Sequence, residues 1–230
     1  MVNPTRPEQQ RYFSELFRRH KGSPMAVSSE SLAHKALRFS RLAEILPRDE
    51  SCSVHDVGMG MGHFLEFIRE DPALSKVEYS GTDVVPEYVA YCDERFPELS
   101  FSCRDLAEGA GPDVYDFVVM SGVFHQMRHA SRSEWERFAF TLIENCFSMA
   151  RVGVAFNFVT CFVDYYQAGI YYCNIGKMLE FISDQLSRFF VVDHAYALYE
   201  LTVFVYHENP IRSQFPQEEF AKYFKGDEPI

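Results

Sequence analysis

The sequence predicts an α/β fold of three layers, in which a doubly wound, mostly parallel seven-stranded sheet ends in a C-terminal antiparallel hairpin. Three observations predict it. From Pro47 onward, short runs rich in β-branched and aromatic residues alternate with helical patterns, as in a parallel sheet built from strand-helix units. The first of these runs turns through three glycines directly into a helix. Near the C-terminus, Phe189 to Ala195 and Leu201 to His207 are two β-rich runs only a few residues apart, the spacing of an antiparallel pair.

Two helical patterns come first. Glu8 to His20 carries apolar Tyr12, Phe13, Leu16 and Phe17, and Ser29 to Leu46 carries Leu32, Ala36, Phe39, Leu42 and Leu46, with Gly22-Ser23-Pro24 between them. Pro47 stops the second, because a proline ring disfavours helical geometry in the residue before it. The expected strands are Ser53 to Val57, Val77 to Thr82, Leu99 to Cys103, Tyr115 to Met120 and Val152 to Thr160. Helices Gly62 to Glu70, Pro86 to Phe96 and Ser133 to Ala150 fill the gaps, the last capped by Ser131 or Ser133 with acidic residues in its first turn. A further helix is expected around Gly176 to Arg188. After Pro210 the chain reads as a solvated tail with one short helix around Glu218 to Phe224. Without a repeat or an internal linker, residues 1–230 are expected to form one domain: helices over 1–46, a core over 47–209 and a tail over 210–230.

Composition narrows the function classes. Lys plus Arg total 22 against 33 Asp plus Glu, a formal charge of -11, so phosphate backbones and anionic lipid surfaces are repelled. Neither a nucleic-acid nor a membrane partner is expected. Met1 to Lys21 is studded with charge and has no apolar centre, unlike a secretory signal, and Val152 to Val163 is too short and too interrupted by Asn157 and Thr160 to span a bilayer. Six cysteines without a C-x-x-C pair read as reduced thiols in the cytoplasm. No His, Cys, Asp and Glu cluster has metal-site spacing, so no metal is expected.

The chemistry concentrates in Val54-His55-Asp56-Val57-Gly58-Met59-Gly60-Met61-Gly62-His63-Phe64. Glycines let a strand-helix turn adopt positive φ and let backbone approach a ligand, and the helix that follows offers free N–H donors. A dinucleotide fingerprint needs G-x-G-x-x-G, but position 63 is His, so the pattern is D-x-G-x-G-x-G. In this the sequence resembles the class I, Rossmann-like S-adenosylmethionine-dependent methyltransferases, and the resemblance continues through Tyr79-Ser80-Gly81-Thr82-Asp83, Phe101-Ser102-Cys103-Arg104-Asp105-Leu106 and Asp116 to His125. It covers about Val54 to His207, most of the chain.

The resemblance implies a set of roles. Asp56, Gly58, Gly60 and Gly62 form the cofactor loop. Asp83 accepts hydrogen bonds from both ribose hydroxyls, as a carboxylate can from a vicinal diol. Asp105 and Leu106 meet the adenine, and Ser121 at the end of the fourth strand faces the methionine half. Asp83 and Asp105 could alternatively cap the helices that follow them. The N-terminal helices would form a lid, with Tyr12, Phe13 and Arg38 facing inward. Arg38 either clamps the methionine carboxylate with both prongs or is a surface charge.

Methyl transfer needs positioning, exclusion of water and, for some acceptors, a base. His125 is placed to be that base, or else to hydrogen-bond backbone or cofactor. Tyr165, Tyr166, Tyr171 and Tyr172 follow the fifth strand. Of these, Tyr166 and Tyr171 are candidates to stack on the acceptor or orient it, unless the segment packs as an aromatic cluster on itself. The function expected is methyl transfer from S-adenosylmethionine to an oxygen, nitrogen or carbon of a small molecule in specialised metabolism. Two alternatives stay open: intramolecular cyclisation of the cofactor with release of methylthioadenosine, and a non-catalytic cofactor-binding protein.

Overall fold

The structure is a computed structural model and describes residues 6–20 and 31–224. The Gly22-Ser23-Pro24 break, the Ser29 start of the second helix and the last residues of the tail lie outside the described residues.

Helix α1 (Arg6–His20) and helix α2 (Leu32–Leu42) precede the sheet, and α2 runs on through a 3-10 turn, Ala43–Ile45. Ser31 caps α2 by accepting from the His34 N–H at 3.2 Å. The regular strand-helix alternation follows: β1 (Cys52–Val57), α3 (His63–Glu70), β2 (Val77–Asp83), α4 (Pro86–Arg95), β3 (Ser100–Cys103), β4 (Tyr115–Met120), α5 (Arg132–Ser148) and β5 (Ala150–Thr160). Ser131 rather than Ser133 starts α5. Its Oγ accepts from Glu134 N–H at 3.3 Å while the Glu134 carboxylate accepts from Ser131 N–H at 3.0 Å, a reciprocal cap.

After β5 come β6 (Tyr172–Cys173), α6 (Ile175–Phe181), β7 (Phe190–Asp193), β8 (Glu200–Tyr206) and α7 (Glu208–Gln214). Helix α7 corrects the expectation of a tail from Pro210. That proline falls in the helix's first turn, where its missing N–H has no intrahelical partner to lose, so it does not break the helix. The two-residue β6, too short to show periodicity, also escapes the sequence.

The described residues form an eight-stranded sheet in the order β3-β2-β1-β4-β5-β8-β7, with β6 on the end of β5. Pairings from β3 to β5 are parallel, while β8 lies antiparallel to β5 and to β7. Alternation along the strands fills both faces. On β4, Val118 and Met120 pack with Trp135, Leu142 and Ile143 of α5, whereas Phe117 and Val119 pack with Leu42 of α2 and Phe64, Leu65 and Ile68 of α3. The chain winds outward from β1 in one direction and from β4 in the other, so their carboxyl ends splay at a topological switch point. That is where open α/β sheets hold ligands. Among the described residues no helix is long and apolar enough to cross a membrane.

Candidate functional site

A cavity of about 200 Å³ opens at that switch point. Its floor is the loop after β1, where Gly58, Gly60 and Gly62 have φ of 74°, 56° and 76°. At Gly58 glycine is required twice over: the backbone is left-handed, and a Cβ would stand 2.7 Å from Val123 Cγ2. The N–H groups of Gly58 and Met59 both donate to Thr82 O, at 2.8 and 3.2 Å, which pins the loop to the end of β2.

Asp83 organises this corner. One carboxylate oxygen accepts from Gly60 N–H and the other from Val85 N–H, each at 2.9 Å, so the residue ties the glycine loop to the start of α4. Burial pushes its carboxyl up to about 6, and the backbone donors restrain the rise. Asp56, at the end of β1, is pushed up to about 7, chiefly by burial and further by the charge of Asp83, while the hydrogen bond from Tyr79 opposes the rise. Tyr79 donates to one Asp56 oxygen at 2.6 Å; the other, Oδ1, is buried and has no partner among the described residues. An orphaned acceptor in a cavity wall is a place for a ligand donor or a bound water.

Apolar side chains of α4 and α5, among them Tyr88, Trp135 and Phe138, line the cavity, and its remaining polar groups and cover come from four other parts of the chain. Asp105 and Leu106 line one side. Asp105 also caps its own turn, accepting from Ala107 N–H at 3.0 Å, and lies 3.9 Å from Arg6 of α1. Ser121, Gly122, Val123 and His125 follow β4. From α1, Gln9 and Phe13 close the top, with Gln9 Nε2 donating to Gln126 O at 2.6 Å. Tyr12 does not face inward as expected: Arg128 lies over its ring, 4.1 Å from the centroid. From α2 come Lys35 and Arg38. Lys35 is buried with its Nζ 3.2 Å from His63 Nδ1, and desolvation, followed by the nearby Arg38 charge, lowers it to about 8, so it stays mostly cationic at neutral pH.

Arg38 lines the cavity, but its two-pronged contact is already made. Its Nε donates to Glu200 Oε2 at 2.8 Å and its Nη2 to Glu200 Oε1. The expected clamp on a ligand carboxylate is therefore corrected, because Glu200 at the start of β8 occupies those donors. Asn157 on β5 joins the same network. It accepts from Gly122 N–H at 2.7 Å and presents its amide nitrogen 2.6 Å from Glu200 Oε2 and 3.2 Å from His125 Nε2. Burial, reinforced by the Arg38 charge, lowers His125 to about 4 despite the opposing pull of Glu200, so the imidazole is neutral at physiological pH. Burial works against the Glu200 charge, but the charges and hydrogen bonds around it win and hold its carboxyl at about 2.

The loop tyrosines stand elsewhere. Tyr171 is 2% exposed and its hydroxyl donates to Glu136 Oε1 at 3.2 Å, within an ion-pair cluster of Arg132, Glu136 and Lys177. It belongs to the α5 side of the core, not the cavity. Tyr166 is 70% exposed, its ring edge-on to Tyr172, while Tyr165 packs edge-on to Tyr199. Both Tyr166 and Tyr171 are thus corrected as acceptor contacts. The segment turns back along β6, where Tyr166 packs on Tyr172, Tyr165 on Tyr199 and Tyr171 on Phe158.

Sequence reasoning passed over Lys35, Asn157 and Glu200. Asn157 left a trace as a lone amide in an otherwise apolar strand, and such a group persists in a core only when it is hydrogen-bonded. Lys35 sits one turn before Arg38 on the same helix face. Glu200 left none, since a glutamate before a strand normally points to solvent.

No family model matches the chain. Its sequence is similar to a Mycobacterium tuberculosis (strain ATCC 25618 / H37Rv) protein named "Putative methyltransferase Rv1506c", with 27% identity over 158 residues that span 66% of this chain and 92% of that one. Among solved structures it is similar to magnesium protoporphyrin IX methyltransferase from Synechocystis PCC 6803 with bound SAH, at a TM-score of 0.61 and 16% identity, over 88% of this chain and 99% of that one. It is also similar to the DhpI-SAM-HEP complex, at 0.62 and 13%, over 89% and 98%. N-methyltransferase NodS from Bradyrhizobium japonicum WM9, in complex with S-adenosyl-L-homocysteine, gives 0.59 and 12%, over 86% and 97%. The chain has the Rossmann-like fold of class I methyltransferases, as the D-x-G-x-G-x-G resemblance implies.

Proposed function

We propose that this chain is an S-adenosylmethionine-dependent methyltransferase that acts on an oxygen, nitrogen or carbon nucleophile of a small molecule in specialised metabolism. One observation carries the reading. At the switch point of a methyltransferase fold, the Asp83 carboxylate is fixed at the cavity wall by Gly60 and Val85, the position from which an acidic side chain can accept from a ribose diol. The neighbouring residues fit the rest of the cofactor. Asp105 and Leu106 border the adenine side, and the unpartnered Asp56 Oδ1 offers an acceptor for an ammonium group or a bridging water. Lys35, rather than Arg38, supplies the cation for the cofactor's carboxylate, since Arg38 is committed to Glu200.

Bound there, S-adenosylmethionine supplies a methyl group on a positively charged sulfur. The protein's contribution is positioning and exclusion of water, and α1 serves the second by lying across the cavity as a lid, held by Gln9 and Arg6. We read residues 1–230 as one such unit. The six cysteines are all free thiols, which supports a reducing, cytoplasmic setting.

The test has two parts. Calorimetric titration of the full chain with S-adenosylhomocysteine is expected to show binding, and its absence would sink the proposal. Incubation with S-adenosylmethionine and a metabolite extract is expected to yield S-adenosylhomocysteine only when extract is present. Methylthioadenosine formed without extract would point to cyclisation of the cofactor instead.

A further inference from the structure

The polar network behind β4 fixes more than geometry. Gly122 N–H can only donate, so the Asn157 atom that it meets at 2.7 Å is the carbonyl oxygen. The other end of that amide is therefore the NH₂ group. One of its hydrogens goes to Glu200 Oε2 and the other points at His125 Nε2, 3.2 Å away. Nε2 must accept, which leaves the proton of the neutral ring on Nδ1. A proton taken up at Nε2 would face the Asn157 N–H, donor against donor. The lone pair that a general base needs is thus already engaged.

Nδ1 has no hydrogen-bond partner among the described residues, and neither has Nη1 of Arg38. Both converge on Gly122. A Cβ built there would lie 3.5 Å from Arg38 Nη1 and 4.0 Å from His125 Nδ1. The missing side chain leaves a slot in the cavity wall between two N–H donors. Glu200 offsets the charge of Arg38, and His125 is neutral, so the slot is rich in donors without net charge.

We propose that His125 is a locked hydrogen-bond donor and that, with Arg38 Nη1 over Gly122, it forms a slot for an uncharged carbonyl oxygen, of a ketone, ester or amide, on the methyl acceptor. Asn157 and Glu200 are the positioning residues that hold the tautomer and cancel the charge. The acceptor assignment rests on the methyltransferase reading, whereas the tautomer does not.

The experiment is side-chain ¹⁵N–¹H NMR of the full chain, with His125 identified through His125→Gln, followed by titration with benzamide, benzoate and toluene in saturating S-adenosylhomocysteine. The expected result is a protonated Nδ1 and an unprotonated Nε2, with benzamide shifting the Nδ1 resonance, toluene leaving it in place, and benzoate binding about tenfold more weakly than benzamide. Asn157→Asp replaces the donor facing Nε2 by an acceptor and is expected to protonate that nitrogen, which the same spectrum reads directly; an Nε2 left unprotonated in this variant would overturn the role of Asn157 in setting the tautomer. In Glu200→Gln the tautomer is expected to persist while the preference moves about tenfold toward benzoate, since the Arg38 charge is no longer offset. A proton on Nε2 in the unaltered protein overturns the tautomer lock, whether or not the variants fold. A benzamide response lost on saturation with S-adenosylhomocysteine overturns the slot, assigning those donors to the cofactor, while leaving cofactor binding itself intact.

Discussion

Asp83→Asn separates cofactor binding from folding, and the structure predicts both magnitudes. Each Asp83 oxygen accepts one buried N–H, from Gly60 and from Val85. An asparagine keeps one acceptor and sets its NH₂ against the other donor, a loss of about 1–3 kcal/mol for a buried group left unsatisfied. Against this, lifting the carboxyl from 3.8 to about 6 means that its surroundings, burial less the backbone donors, disfavour its ionised form by about 3 kcal/mol at neutral pH. The substitution removes that penalty. The two effects nearly cancel, so the unliganded variant is expected to unfold within a few degrees of the unaltered protein. Binding has no such compensation. Losing a charged acceptor for a ligand hydroxyl costs about 1.5–3 kcal/mol, or roughly 10- to 150-fold in Kd. Thermal unfolding and calorimetric titration with S-adenosylhomocysteine, on the same sample, read both numbers. An unchanged Kd at unchanged Tm would refute the ribose role of Asp83, and a large fall in Tm would refute the electrostatic offset.

Other outcomes follow from the same geometry. Affinity for S-adenosylhomocysteine is expected to fall about tenfold per pH unit below about 6, where Asp83 protonates and stops accepting; a flat profile from pH 7 to 5 would count against it. In the unliganded protein the sign is opposite. The raised Asp56 and Asp83 contribute stability that is fully present below about 3.8 and is lost as pH rises from there to about 6 and 7, which a series of denaturant midpoints would detect. Gly58→Ala forces a left-handed alanine against Val123 and is expected to cost about 1–3 kcal/mol along with cofactor affinity, while Gly153→Ala, whose Cβ would meet Val205 O at 2.5 Å far from the cavity, should lower stability alone. Lys35→Met is expected to raise Tm, by removing a buried charge, and to weaken S-adenosylmethionine about tenfold; an unchanged Kd would return the carboxylate to Arg38. Tyr166→Phe should leave turnover within about twofold of the unaltered protein, because among the described residues that hydroxyl meets Cys161 O alone, at the surface.

The parts of the site that could be read from the chain are those built by consecutive residues. Asp56, the three glycines, Asp83 and Asp105 each sit at the end of a strand whose β-rich run is visible, and the residue after a strand in an α/β sheet faces the crevice. The loop tyrosines misled for the complementary reason. Tyr166 and Tyr171 follow β5 in sequence, but the path of their loop is set by pairing with β5 at Val159 and Thr160, which leaves Tyr166 at the surface against Tyr172 and sends Tyr171 inward against Phe158 and Glu136. Sequence position past a strand says where a loop starts and nothing about how it returns.

Local pattern determined the strands and helices other than β6 and α7, the parallel core and the cofactor loop, since periodicity, turn chemistry and caps act over a few residues. Only the tertiary structure decided what stands opposite what. Arg38 and Glu200 are separated by 162 residues and Asn157 and His125 by 32, and they meet because β5 and β8 pair antiparallel beside β4. A side chain's charge and proton follow from its partners and its burial, so the commitment of Arg38, the neutrality of His125 and the nitrogen that carries its proton could be known only once the sheet had assembled.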